Sequence, residues 1–177
     1  MTGRAAPIIV VAAAAMLLCS LAVVGFVFGL RINLTPSYPI GVWRIEPLAR
    51  NVAVGDRVFI CPPVSPEFIA ARERGYLGFG LCPGWMSPLI KTVAAQVGQQ
   101  VAIGRSVAID GVHLPHSVVL SADGAGRALS GARGGVVPPG HLFVFSEFSG
   151  SYDSRYFGPI PATGVLGLAR PLLVLNP

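Results

Sequence analysis

The chain has 177 residues, enough for one domain core and a little more, and 53% of them are hydrophobic, with a mean hydropathy of +0.66. That is more apolar than a typical soluble domain, so a segment that belongs in lipid is expected. The net charge of +5 is nearly all arginine and is spread without a run or aromatic interleaving, which suits a domain beside an anionic membrane and gives no support to nucleic-acid binding.

In chain order, Ala5 to Leu30 carries no charged side chain. A bilayer crossing takes roughly 20 apolar residues, and the h-region of a cleaved signal is about 7–15, so a retained membrane anchor over residues 1–31 is expected, with a cleaved signal as the alternative. Arg4 flanks the run on one side and Arg31 and Arg44 on the other, so flanking charge does not set the orientation. Pro36, Pro39 and Pro47 exclude a helix just after the anchor. Asp56 to Cys61 reads as a strand, and Ser65 to Gly75 as a short capped helix. Leu89 to Ala95 and Gln100 to Asp110 have strand spacing, and Asp110-Gly111 is a hairpin turn signal before Val112. Ser121 to Gly135 is rich in Gly, Ala and Ser and reads as a mobile loop, followed by strands at His141 to Phe145 and Val165 to Ala169. The expected fold is mainly β: a compact antiparallel domain, residues 32–177, with one or two short helices, preceded by one transmembrane helix. In an exported domain Cys61 and Cys82 are expected to form a disulfide, two buried thiols being the alternative.

Three segments carry candidate chemistry. In Asn33-Leu34-Thr35-Pro36-Ser37-Tyr38-Pro39-Ile40-Gly41 two prolines stiffen the backbone around Ser37, which suits a nucleophile whose direction must be fixed. Alone, such a serine is an ordinary loop residue. Lys91 is the one lysine in the chain, against twelve arginines, and it lies in the apolar stretch Pro88 to Ala95. Arginine stays protonated at any working pH, whereas a desolvated lysine can lose its proton and act as a base. Alone, it reads as a strand-edge charge. In Ser149 to Gly158, Asp153 and Arg155 fall on one side of an extended chain and are placed to pair, with Ser151 two residues earlier.

The order of these segments resembles the bacterial type I signal peptidase family, over Ser37 to Gly158. The form Asn-x-Thr-Pro-Ser-x-Pro-x-Gly at Asn33 to Gly41, the small size and the single anchor resemble its TraF-type branch. The resemblance implies a signal-peptidase-like β domain in the periplasm of a single-pass inner-membrane protein. It makes Ser37 the nucleophile, Lys91 the general base, Thr35 an oxyanion-assisting hydroxyl and Ser151 the residue that orients the lysine. Asp153 and Arg155 become a supporting ion pair. The sequence departs from the family where Phe145-Ser146-Glu147-Phe148 replaces Gly-Asp-Asn, where Val97-Gly98-Gln99 replaces Pro-Gly-Asp, and where Thr92 follows the lysine in place of arginine.

The implied reaction is peptide-bond hydrolysis or transfer through an acyl-enzyme, with no metal and no cofactor. The implied partner is a membrane-held precursor polypeptide, a propilin whose ends are also open to joining, bound extended and cut after small residues such as alanine. The alternatives are a general signal peptidase and a non-catalytic anchored β domain of a secretion or pilus machine. A rival Ser-His-Asp mechanism would draw on His113, His116 or His141 with Asp110, Asp123 or Asp153, but no Gly-x-Ser-x-Gly motif accompanies them. His113 and His116 are also weak candidates for metal.

Overall fold

The computed structural model describes residues 5–175. Arg4, one of the charges flanking the expected anchor, lies outside that span, as do residues 1–3 of the anchor and residues 176–177 of the expected domain.

Helix α1, Ala5–Val27, has 23 residues and so reaches about 34 Å, against a hydrocarbon thickness of roughly 30 Å. Ile8, Val10, Met16 and Leu18 point to different sides of it and are all exposed. A helix that is apolar all round and uncovered by protein suits lipid, and this one is long and apolar enough to cross a membrane. Gly29, at φ +77°, turns the chain out of the helix. A Cβ there would lie 2.7 Å from the Ile45 carbonyl oxygen, so only glycine fits this close approach.

Beyond the turn the chain is mainly antiparallel β. Strands β1 (Leu30–Asn33), β2 (Gly41–Glu46) and β3 (Arg57–Ile60) precede helix α2 (Pro66–Glu73) and strand β4 (Phe79–Cys82). Strands β5 (Leu89–Ala95), β6 (Gln100–Ile103), β7 (Val107–Ile109), β8 (Val112–His113), β9 (Gly135–Val136) and β10 (His141–Phe145) follow. A one-turn helix α3 (Ser154–Phe157), strand β11 (Ile160–Pro161) and the long strand β12 (Val165–Val174) close the fold. One sheet has the order β1-β2-β12-β3-β5-β10-β11, and a smaller one β8-β7-β6-β9. The inner strands β3, β5 and β10 are mostly apolar rather than alternating, interrupted by Arg57, Lys91, Thr92 and His141, because both faces of the larger sheet are covered. Val58, Ile60, Val93 and Val144 pack beneath α2 and α3 on one face, while Phe59 joins Trp43 and Ile90 on the other.

The stretch Gln100 to Asp110 is two strands, because Gly104 to Ser106 form a tight turn in which the Gly104 N–H donates to the Ser106 carbonyl. Asp110 (φ +50°) and Gly111 (φ +80°) make the two-residue turn between β7 and β8. Ser121 to Gly135 has little regular structure but is tied down. The Asp123 carboxylate accepts from the Ala125 and Arg127 N–H groups and from the Tyr76 hydroxyl. Cys61, just past β3, and Cys82, at the end of β4, form a disulfide across a Cα–Cα distance of 5.5 Å.

Candidate active site

Ser37 sits in the short connection between β1 and β2. Asn33, buried at the end of β1, organises that connection. Its Nδ2 donates to the carbonyls of Thr35 and Tyr38, both at 2.9 Å, and of Pro39 at 3.1 Å. Its Oδ1 accepts from the Thr35 N–H and, at 2.7 Å, from the Thr35 hydroxyl. The prolines remove helix as an option, and this one amide replaces the missing backbone ladder. The Trp43 indole N–H donates to the Pro39 carbonyl, and the Ser146 hydroxyl to the carbonyl of Ser37 at 2.7 Å. The Ser37 N–H meets no acceptor among the described residues.

Lys91 projects from the middle of β5, opposite Val58 of β3, and is only 3% exposed. Its Nζ donates to the Ser151 Oγ at 2.6 Å and lies 3.5 Å from the Ser37 Oγ. The Ser37 hydroxyl in turn lies 3.3 Å from the Ser151 Oγ. Burial pushes the Lys91 amine down to about 8. The Asp153 carboxylate opposes that fall, and the Arg155 guanidinium adds to it. An amine so placed can take a proton from a hydroxyl beside it at neutral pH, which an ordinary lysine at about 10.4 does poorly.

Asp153 and Arg155 pair, though on a different backbone from the extended one expected. Asp153 caps the one-turn helix α3, accepting from the Arg155 N–H. The two side chains, both fully buried, meet in a fork: Nε to Oδ1 at 2.8 Å and Nη2 to Oδ2 at 2.8 Å. Burying two charges is costly unless their remaining hydrogen-bonding capacity is filled. Here it is: Arg155 also donates to the carbonyls of Val118, Ser146, Phe148 and Ser151, and Asp153 Oδ2 accepts the Ser146 N–H. The pair thereby fixes the 146–151 loop, which carries both Ser146 and Ser151.

Two hollows flank Ser37. One, of about 850 Å³, lies toward α1 and is lined by Phe26, Arg31, Ile32, Leu81, Ile90 and Lys91, among others. The other, of about 720 Å³, is lined by Tyr38, Arg57, Thr92, Leu114 and Glu147, among others.

The model of the family described as "Signal peptidase, peptidase S26" matches residues 3–173. This chain belongs to that family. The "Conjugal transfer protein TraF" of Agrobacterium fabrum (strain C58 / ATCC 33970) is 52% identical over 164 residues, covering 93% of each chain. The "Probable conjugal transfer protein TraF" of Sinorhizobium fredii (strain NBRC 101917 / NGR234) is 56% identical over 149 residues, 84% of this chain and 79% of that one. A "Plasmid transfer protein TraF" of Escherichia coli is 36% identical over 165 residues, 90% of each.

In this S26 chain the structure brings Ser37, Lys91, Ser151, Asp153 and Arg155 into one connected cluster. Thr35 stands beside it, its hydroxyl turned to Asn33. Among the described residues no histidine side chain hydrogen-bonds a serine or an acidic group, and His141 Nδ1 lies against the Pro139 carbonyl. Three further contributors were not singled out from the sequence. Asn33 opened the Ser37 segment and was legible only as part of the TraF-type form Asn-x-Thr-Pro-Ser-x-Pro-x-Gly. Ser146 sits where the S26 pattern has Gly-Asp-Asn, so the departure hid a residue that touches Ser37. Ser154, whose Oγ accepts the Val144 N–H, was legible only as part of the form Ser-x-Asp-Ser-Arg-x-x-Gly at Ser151 to Gly158. Thr92, which replaces an arginine of the S26 pattern, lies 2.7 Å through its Oγ1 from the Tyr38 hydroxyl. Across the β3–β5 pair from Thr92 stands Arg57, with its guanidinium 4.7 Å from the Tyr38 ring.

Proposed function

We propose that this chain is a membrane-anchored serine endopeptidase in which Ser37 is the nucleophile and Lys91 the general base. The observation that carries this reading is the buried amine of the only lysine, held against Ser151 and within 3.5 Å of the Ser37 hydroxyl. Neutral Lys91 takes the Ser37 proton as Oγ attacks the scissile carbonyl. The resulting ammonium gives that proton to the departing amine, leaving an acyl-enzyme that a second nucleophile opens. Ser151 fixes the direction of the amine. Asp153, through its attraction for the ammonium, stabilises the form that appears during attack. The unpaired Ser37 N–H is the first oxyanion donor, a contact of a kind worth about 3 kcal/mol. The Thr35 hydroxyl becomes the second on turning away from Asn33.

The substrate class follows from the family, the anchor and the relatives' names together. Residues 1–31 form the anchor and 32–177 the peptidase domain, on the periplasmic side of the bacterial inner membrane. The relatives named for conjugal and plasmid transfer support a role in conjugation, and the reading is maturation of a propilin, cut after small residues such as alanine. A tight pocket rejects larger side chains there by overpacking. The test is reconstitution with a membrane-held precursor. Ser37→Ala and Lys91→Arg abolish cleavage in folded, inserted protein, because arginine keeps the charge but gives up no proton. Cleavage by Lys91→Arg would sink the dyad. In a deletion strain, loss of mature pilin and of DNA transfer with normal export of other proteins supports the specialised role. A build-up of many secreted precursors would make it the general enzyme.

A further inference from the structure

Arg57 lines the 720 Å³ cavity beside Ser37. Four other arginines are spent on acids: Arg50 on Asp56, Arg127 on Asp123, Arg155 on Asp153 and Arg170 on Glu46. Arg57 forms no ion pair among the described residues, and its Nε is buried with no hydrogen-bond partner. Its guanidinium lies 4.7 Å from the centre of the Tyr38 ring and 5.5 Å from that of Trp43. A guanidinium braced on aromatic faces keeps its planar fork ready for a carboxylate. The one acidic side chain lining the cavity, Glu147, is exposed and makes no bond to Arg57. The aromatic brace comes from Tyr38, the residue next to Ser37, so an anion held at Arg57 lies close to the reacting bond.

The two cavities differ in what they face. The 850 Å³ cavity takes part of its wall from Phe26 and Arg31, at the end of the anchor helix. The 720 Å³ cavity takes its wall from Val54, Gly55, Arg57, Leu114 and Pro115, which belong to the β body. A precursor held in the bilayer by an apolar segment upstream of the cut fills the first cavity with that side. Its exported side, downstream of the cut, enters the second.

We propose that the 720 Å³ cavity binds the precursor just downstream of the cut, and that Arg57 there selects an acidic side chain. This rests on the peptidase reading of Ser37 and Lys91. The experiment uses the full-length chain in detergent micelles and synthetic peptides with an apolar N-terminal stretch and alanine before the cut. Aspartate, or asparagine as its neutral counterpart, is placed in turn at each of the first four downstream positions. A charged hydrogen bond made and lost at this depth corresponds to about tenfold or more in kcat/KM, so at one position aspartate exceeds asparagine by that factor. Arg57→Gln brings the ratio to about one, while Arg57→Lys, which keeps the charge without the fork, retains part of it. No aspartate preference at any position in the unaltered protein, or a preference that survives Arg57→Gln, overturns the proposal. Should no peptide be cleaved, the dyad reading fails. The Arg57 proposal is then decided by fluorescence anisotropy of the same peptides on Ser37→Ala protein with and without Arg57→Gln. Aspartate-selective binding lost with Arg57 supports it, and binding indifferent to either change overturns it.

Discussion

Lys91 is held in a place where its charged form is unwelcome, and its chemistry follows from that. With the amine near 8, about a tenth of the molecules carry the neutral base at pH 7, and kcat/KM rises with pH through about 8 before levelling. A profile flat from pH 6 to 9, with chemistry rate-limiting, contradicts a lysine base. Asp153 works against the fall, so Asp153→Asn moves the acid limb of that profile to lower pH in whatever protein remains folded. The same change leaves Arg155 buried without its partner and lowers stability by about 3 kcal/mol or more, measured by denaturant unfolding. The depressed amine also bears on stability. Below pH 8 both folded and unfolded chains carry the proton, and the full cost of burying it is present. Between 8 and the ordinary 10.5 the folded chain loses its proton first, so stability rises with pH by up to about 3 kcal/mol across that window. Lys91→Met is therefore inactive yet at least as stable as the parent at pH 7, by thermal unfolding.

At the scale of elements, the legible parts of the fold were those whose sequence signal is local and undisturbed. Leu89–Ala95 and His141–Phe145 are apolar runs bounded by turn residues, and their strand bounds are those read from the sequence. The cap Ser65, with Pro66 behind it, announced α2. β1 and β2 stayed hidden because the prolines between them announce only what the chain avoids. β1 pairs with β2, and the other edge of β2 is filled by β12, which arrives more than a hundred residues later. Helix α3 looks extended in the sequence because four residues give no periodicity; the Asp153 cap and the buried fork make it. The Ser37 connection relies on one amide, which gives a sharp test. Asn33→Asp keeps the shape but sets a carboxylate against three carbonyls, and activity falls by about tenfold or more while circular dichroism retains the β signature. The Cys61–Cys82 bridge closes a loop spanning 21 residues that carries α2 and β4. Replacing both cysteines by alanine lowers stability by about 3 kcal/mol in the chain-entropy account, read by urea unfolding against the oxidised parent.

For the whole molecule, the short path from α1 to Ser37 is the governing feature. β1 begins three residues after the helix ends and its four residues rise roughly 13 Å, with only four more residues to Ser37. A substrate whose cleavage point stands much further from its own membrane segment than this reaches Ser37 only by folding back. Inserting six to ten flexible residues, by order of magnitude a second such rise, between a precursor's apolar segment and its cut therefore lowers processing in vesicles. Unchanged processing of the lengthened precursor contradicts a site fixed at the membrane surface.

The lone lysine has one more consequence. Because every other side-chain cation is arginine or histidine, the only ε-amine in the molecule is the one beside Ser37. Lysine labelled with carbon-13 at its ε-carbon therefore gives a single side-chain resonance, and that resonance needs no assignment. The molecule carries its own reporter: following one peak as pH is changed reads the protonation of the proposed base directly, with no substrate and no turnover.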